Sequence, residues 1–171
     1  MEAVEAGGSG HIVMKMNSLT DDDLIEQLYE ASEAGVQIDL VIRGICALVP
    51  GAPGQSSNIR VRSLVGRYLE HSRIYFFANG EAPGVPRYLL GSADLRARNL
   101  DRRVEVMVAV CDADLQARLQ SILDLNLEDD ELAWELDSRG RWERKAPSGD
   151  GVGCNAQRRL QELAVARARV I

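Results

Sequence analysis

His11-Ile12-Val13-Met14-Lys15-Met16-Asn17 and, after an intervening polar stretch, Val36-Gln37-Ile38-Asp39-Leu40-Val41-Ile42 are the two runs whose reading decides the fold. The first reads as an opening strand with Ile12, Met14 and Met16 on one face. The second is apolar at most positions, which suggests a strand buried on both faces. Between them, Leu24, Ile25, Leu28 and Ala31 recur at helical spacing. Asp21, Asp22 and Asp23 load that helix's first turn with negative charge, which suits its dipole, and Ser18 or Thr20 can cap it. Gly35 fits its carboxyl-terminal cap. Strand, helix, strand is the opening of an α/β domain.

Outward from this opening, further segments read as strands: Ile59 to Leu64, Ile74 to Phe77, Arg87 to Leu90 and Val104 to Val110. Gly91-Ser92-Ala93-Asp94 and a short helical stretch separate the last two. Asp112 caps a helix carrying Leu115, Leu119, Ile122 and Leu123, and a basic helix begins at about Asn155, its arginines expected to face water. Val49-Pro50-Gly51-Ala52-Pro53-Gly54-Gln55-Ser56-Ser57 is rich in turn residues and is the expected mobile loop. Ser148 to Gly153 forms a second glycine-rich break. No internal repeat is visible. The fold class is therefore α/β, a mixed sheet flanked by helices, with 171 residues enough for one good core. Residues 1 to 10 are expected to be a disordered leader or an expression scar, since they lack the basic start and apolar core of a signal peptide.

Composition removes several classes of function. Cys46, Cys111 and Cys154 lie far apart with no C-x-x-C pair, against a zinc site or a disulfide framework and in favour of a reducing, cytoplasmic setting. No apolar run approaches the roughly 20 residues that span a bilayer. The net charge of −6 gives no overall field favouring nucleic acid, yet the charges are segregated. Residues 58 to 103 hold nine arginines against four acids, a local balance of +5. That segment reads either as a solvated face in a chain with 18 arginines and 2 lysines, or as a surface for polyanions.

Candidate chemistry gathers on a few residues. Arg43-Gly44 ends the buried strand, where ligands collect in open α/β sheets, and glycine would let a phosphate approach the backbone as well as the guanidinium. The alternative is an arginine leaving the sheet for solvent. His71 and Arg73 would share a face if their segment is a strand, putting an imidazole beside a fixed cation, an arrangement suited to phosphate. Otherwise His71 is a satisfied polar residue near a strand start. Ser92 either donates to a phosphate at a helix amino terminus or, like Asp94, merely caps that helix. Arg103 and Glu105 would share a strand face and pair, as a surface bridge or with Glu105 orienting Arg103 towards a ligand.

In order and spacing, Lys15-Met16-Asn17-Ser18-Leu19, Val41-Ile42-Arg43-Gly44-Ile45-Cys46, Asn58-Ile59-Arg60, Arg67-Tyr68-Leu69-Glu70-His71-Ser72-Arg73 and Ser92 to Glu105 resemble the bacterial polyphosphate kinase family, in its C-terminal phospholipase-D-like domain. The likeness covers residues 11 to about 130. It implies a phospholipase-D-like fold over residues 11 to 171 and an enzyme that reversibly transfers the terminal phosphoryl group of ATP to inorganic polyphosphate through a phosphohistidine. It further implies that Arg43 and His71 contact ATP phosphates, with His71 catalytic, in a tunnel between two phospholipase-D-like halves. Arg73, Ser92, Asp94, Arg98, Arg103 and Glu105 become candidates for binding polyphosphate or phosphate. The phosphoryl-accepting histidine and the magnesium-contacting residues would belong to upstream domains of the same polypeptide, so no metal site is expected here and the isolated fragment would be inactive. His11 falls outside the matching motif. The same likeness implies ATP and ADP as partners, a full-length homo-oligomer, and a cytoplasmic location with membrane association possible for the full-length enzyme. The wider superfamily's histidine-x-lysine-x4-aspartate motif appears as His71-Ser72-Arg73, with Asn79-Gly80 rather than an aspartate downstream, so phosphodiester hydrolysis is not implied. A non-catalytic polyanion-binding module is the alternative; the low aromatic content, 5%, argues against stacking on single-stranded nucleic acid.

Overall fold

The computed structural model describes residues 10–147 and 153–169, so the expectations for residues 1–9 and 148–152 lie outside the described residues. Strands β1 (His11–Met16), β2 (Gln37–Ile42), β3 (Ile59–Leu64), β4 (Ile74–Ala82), β5 (Val85–Gly91), β6 (Met107–Ala109), β7 (Ala133–Leu136) and β8 (Trp142–Arg144) form one mixed sheet in the order β6-β5-β4-β1-β2-β3-β7-β8. Its centre, β1-β2-β3, is parallel; β4 returns antiparallel beside β1, and β7 beside β3. This is the mixed sheet flanked by helices that the sequence predicts.

Among the described residues there are four helices: α1 (Asp22–Glu33), α2 (Ala97–Arg102), α3 (Ala113–Glu128) and α4 (Ala156–Ala168). Alternation along the strands supplies two cores. Met14, Met16, Ile38, Leu40, Ile42, Ile59, Val61 and Tyr75 pack towards Ile25 and Leu28 of α1. The opposite face places Val13, Ile74, Phe76 and Tyr88 against Leu119 and Leu123 of α3. Residues 38 to 42 of β2 are buried throughout, as the apolar run predicts for a strand covered on both faces.

Several local expectations are corrected. Asp21, not Ser18 or Thr20, caps α1 by accepting from Leu24 N at 3.2 Å; Leu19 is instead bridged to Cys46 and Leu95. Gly35 takes φ 90° just past α1, as a carboxyl-terminal cap requires. The 49–57 loop, expected to be mobile, is tied to itself: buried Ser56 donates its hydroxyl to Val49 O at 2.8 Å and accepts from Ala52 N at 2.9 Å. The expected strand Val104 to Val110 shrinks to Met107–Ala109; Glu105 and Val106 are bonded to Ser92, and Val104 is fully exposed. Leu115, expected in the apolar stripe of α3, is half exposed. The β7–β8 hairpin was not anticipated.

Candidate active site

Because β1, β2 and β3 are parallel and β4 antiparallel, the carboxyl ends of the first three strands meet the start of β4 and the end of β5 at one sheet edge. Every candidate residue from the sequence except Arg98, which lies on α2, comes from a loop leaving or entering that edge, where ligands gather in open α/β sheets. Asn17, the residue after β1, is the hub. Its side-chain oxygen accepts from Arg43 Nε at 2.8 Å and Nη2 at 2.5 Å. On the other side, its backbone N donates to Asp94 Oδ1 at 2.8 Å and its Nδ2 to Asp94 Oδ2 at 3.3 Å.

Asp94 also receives Arg73 in a two-point grip, Nε to Oδ1 and Nη2 to Oδ2, both at 3.1 Å. Both side chains of this pair are largely buried. Burial pushes the Asp94 carboxyl up, but hydrogen bonds from Arg73 and from Asn17, with the Arg73 charge, outweigh it and hold the group below the ordinary carboxylate range. Arg73 Nη1 donates to His71 O at 2.9 Å, and the exposed imidazole lies alongside the guanidinium, its Nδ1 3.2 Å from Nη1 and its Nε2 3.4 Å from Nη2. His71 and Arg73 meet as the sequence predicts, but for a different reason: residues 71 to 73 precede β4, and the contact comes from the loop rather than from strand alternation.

Arg43 is half-buried, the only hydrogen-bond acceptor of its guanidinium among the described residues is the neutral Asn17 amide, and its Nη1 is buried without a partner. With Lys15, Val41, Glu70 and Ser72 it lines a small cavity at the sheet edge. Gly44 does not offer its amide to a ligand, since it donates to Asn17 O at 2.8 Å. Lys15, Arg43 and Arg73 stand against Glu70 and Asp94, three positive charges to two negative.

A second cluster adjoins the first. Glu105 accepts from the Ser92 hydroxyl in a short hydrogen bond and from Asn99 Nδ2 at 2.7 Å, with Arg103 Nη1 at 4.0 Å. Those bonds from Ser92 and Asn99 hold its carboxyl below the usual range. Neither Ser92 nor Asp94 caps α2, which starts at Ala97 without a side-chain cap; Tyr75 reaches the segment between them, its hydroxyl donating to Ala93 O at 2.8 Å. Arg98, on α2, is exposed. Thus Arg43, His71, Arg73 and Asp94 form one network, Ser92, Arg103 and Glu105 a neighbouring one, and Arg98 stands apart. Sequence reasoning gave no role to Asn17, Lys15, Glu70 or Asn99. The position of Asn17 one residue beyond a strand's carboxyl end was the available signal.

Among the described residues no group of three or more His, Cys, Asp or Glu could hold a metal ion, and the carboxylates nearest the network are engaged by Arg73, Asn17, Ser92 and Asn99. These residues do not fit a magnesium site of their own. No described helix is long and apolar enough to cross a membrane.

Residues 1–157 match the family described as Polyphosphate kinase C-terminal domain 2. Polyphosphate kinase 1 of Chlorobaculum tepidum is 52% identical over 153 residues, 90% of this chain and 21% of the relative. The polyphosphate kinase of Streptomyces coelicolor is 46% identical over 160 residues, 94% of this chain and 21% of the relative. The chain thus spans about a fifth of the length of these curated relatives. A crystal structure of polyphosphate kinase from Porphyromonas gingivalis superposes with a TM-score of 0.92 at 41% identity, covering 99% of this chain and 26% of that one. The phospholipase D family member Nuc from Salmonella typhimurium gives a TM-score of 0.54 at 18% identity over 75% of this chain and 82% of its own, a likeness of fold alone.

Proposed function

The chain belongs to the polyphosphate kinase family, matching its C-terminal domain 2, and on that premise we propose that it supplies the phosphate-handling edge of an enzyme that reversibly transfers the terminal phosphoryl group of ATP to inorganic polyphosphate. The observation that carries the reading is Arg43, a half-buried cation with no carboxylate partner among the described residues and one buried N–H unmatched. An unsatisfied buried donor costs about 1–3 kcal/mol, more for a charged group, and an anionic oxygen would offset it. Arg43 meets negative charge on the terminal phosphates. His71 hydrogen-bonds the oxygen entering or leaving phosphorus and holds or moves its proton. Arg73, its fork already spent on Asp94 and His71, keeps the imidazole in place rather than gripping phosphate bidentately. The exposed heads of Arg98 and Arg103 are left for the polyphosphate chain, and Ser92, Asp94 and Glu105 hold the segment between the arginines.

Phosphoryl transfer needs positioning and charge stabilisation more than covalent help, so one imidazole among guanidiniums suits it. Magnesium would be held outside this chain and supplies charge neutralisation when bound; no step here runs through it. The histidine that carries the phosphoryl group lies, in this reading, in upstream domains of the same polypeptide, which works as a cytoplasmic homo-oligomer with ATP and ADP as exchanging partners. The domain by itself is inactive. A plain polyanion-binding module is less well supported, because Arg60, Arg62 and Arg73 of the basic segment are engaged by Asp39, Glu135 and Asp94.

ATP-dependent polyphosphate synthesis is the test, in a complete kinase polypeptide that carries this chain as its corresponding segment. His71→Ala lowers the rate by roughly 10² to 10⁴, the range for a positioned acid or base. Arg43→Ala weakens ATP use. Wild-type rates in both variants sink the assignment.

A further inference from the structure

The segment that presents His71, residues 65 to 72, has little apolar anchorage. Val65, Tyr68 and Leu69 are 64%, 44% and 81% exposed. Its flank is open: a cleft of about 510 Å³, lined by Glu70, Ser72, Arg118, Leu160, Leu163 and Arg167, separates it from α3 and α4. Few buried apolar contacts mean low local stability, so the position of this loop depends on its polar ties.

Two ties come from residues that no reading of the reaction includes. Gln157, on the first turn of α4 and only 6% exposed, accepts from Tyr68 N at 2.9 Å and donates its Nε2 to Tyr68 O at 2.8 Å. It completes both main-chain hydrogen bonds of one loop residue, as a neighbouring strand would. Gln161, one turn on, accepts the Tyr68 hydroxyl at 3.2 Å. Gly66 makes room for this grip, since a Cβ there would stand 2.5 Å from Gln157 Oε1. The second tie is Lys15, whose side chain is 7% exposed and whose Nζ lies 2.7 Å from Glu70 Oε2. Tyr68 is thus held from α4 and Glu70 from β1, three residues and one residue before His71.

Gln157 is itself fixed. Buried Asp129 accepts from Ala156 N at 2.7 Å, and Asn155 caps α4 by accepting from Arg158 N at 3.0 Å. The start of α4 is therefore docked independently of the loop it grips.

We infer that Gln157 and Lys15 are positioning residues for His71, with α4 acting as a strut that fixes the histidine-bearing loop against the sheet edge. The inference rests on the reading of His71 given above. Displacement of a reacting group by about 1 Å can cost on the order of 10²-fold in rate, so loosening one of two ties should lower kcat by about tenfold. Because both ties act through His71, their loss has no further effect once the imidazole is gone.

The experiment is a double-mutant cycle on ATP-dependent polyphosphate synthesis in the complete kinase polypeptide carrying this chain: Gln157→Ala, Lys15→Met and His71→Ala, alone and combined. Expected are about tenfold losses in kcat for Gln157→Ala and for Lys15→Met, with no further loss when either is added to His71→Ala. Wild-type kcat in Gln157→Ala and Lys15→Met beside a slow His71→Ala overturns the inference and leaves the reading of His71 standing. Losses that multiply with that of His71→Ala overturn it too, since the ties would then act elsewhere. A wild-type rate in His71→Ala overturns both. Should Gln157→Ala not fold, Gln157→Glu carries the same comparison, keeping the acceptor for Tyr68 N and losing the donor to Tyr68 O.

Discussion

Asp94→Asn changes two atoms' chemistry and almost no volume, which makes it a clean probe of the network. The carboxylate takes four hydrogen bonds: Arg73 Nε and Nη2 at 3.1 Å each, Asn17 N at 2.8 Å and Asn17 Nδ2 at 3.3 Å. Asparagine keeps one oxygen, enough for Asn17 N and Arg73 Nε, but turns an NH₂ towards two donors. It also leaves Arg73, 12% exposed in its side chain, without its counter-charge. Breaking a buried pair by removing one charge costs about 3–5 kcal/mol, and the retained oxygen sets the expectation at the low end, about 3 kcal/mol. In urea, with a slope of about 1–3 kcal/mol per molar, the unfolding midpoint near neutral pH falls by about 1–3 M at unchanged slope. The pH dependence follows from the depressed Asp94 carboxyl. Its contribution is present above the unfolded value of about 3.9 and is lost as pH falls through the lower folded value. The gap between wild type and Asp94→Asn therefore begins to narrow below about pH 4, as the unfolded carboxyl takes up a proton, and closes once pH passes the lower folded value, where the folded group is protonated and resembles the variant. A gap within about 0.5 kcal/mol near neutrality, the scatter of ordinary surface changes, would refute the reasoning. So would a gap that stays constant into acid.

Two further predictions follow the same geometry. Asn17→Ala removes the oxygen that accepts from Arg43 Nε and Nη2, so the guanidinium swings free; the expected result is about tenfold weaker ATP use in a kinetic assay and about 1–2 kcal/mol of lost stability. Leu123→Ala, at a fully buried position of the α3 core, costs about 2–5 kcal/mol in a denaturation experiment and leaves the carboxyl edge intact, so the residual folded enzyme keeps its KM for ATP.

The opening β1-α1-β2 unit was legible because three local signals agree there: the apolar run in His11–Met16, the helical stripe of Ile25 and Leu28, and glycine at positive φ after α1. The β7–β8 hairpin was not, since four- and three-residue strands carry too little period, and what makes them strands is pairing of Ala133–Glu135 with Arg62–Leu64 of β3. The candidate site divided along the same line. Arg43 stood out by ending a buried strand. Asn17 did not, because its partners Arg43 and Asp94 are 26 and 77 residues away. Lys15 has no role legible in the sequence, because its partner Glu70, 2.7 Å away, lies far along the chain.

The local charge surplus of +5 over residues 58–103 takes on a different meaning once the chain is folded. Arg60 lies 2.9 Å from Asp39, outside the segment. Arg62 reaches Glu135 at 2.8 Å, also outside it, and donates to the carbonyls of Asn126 and Leu127, where a cation complements the carboxyl end of α3. Arg73 is gripped by Asp94 and Arg103 lies beside Glu105. Four of the segment's nine arginines thus meet carboxylates in space, three of those carboxylates from outside the segment, so the surplus along the sequence overstates the charge free for a polyanion. Among Lys15, Arg43 and Arg73, the cation left without a carboxylate among the described residues is Arg43, which precedes the basic segment altogether. Its neutral acceptor Asn17 orients the guanidinium without cancelling its charge, whereas the carboxylate of Asp94 does both for Arg73. An arginine aimed but not neutralised is poised for an anion; an arginine aimed and neutralised is poised to hold its neighbour, which here is His71.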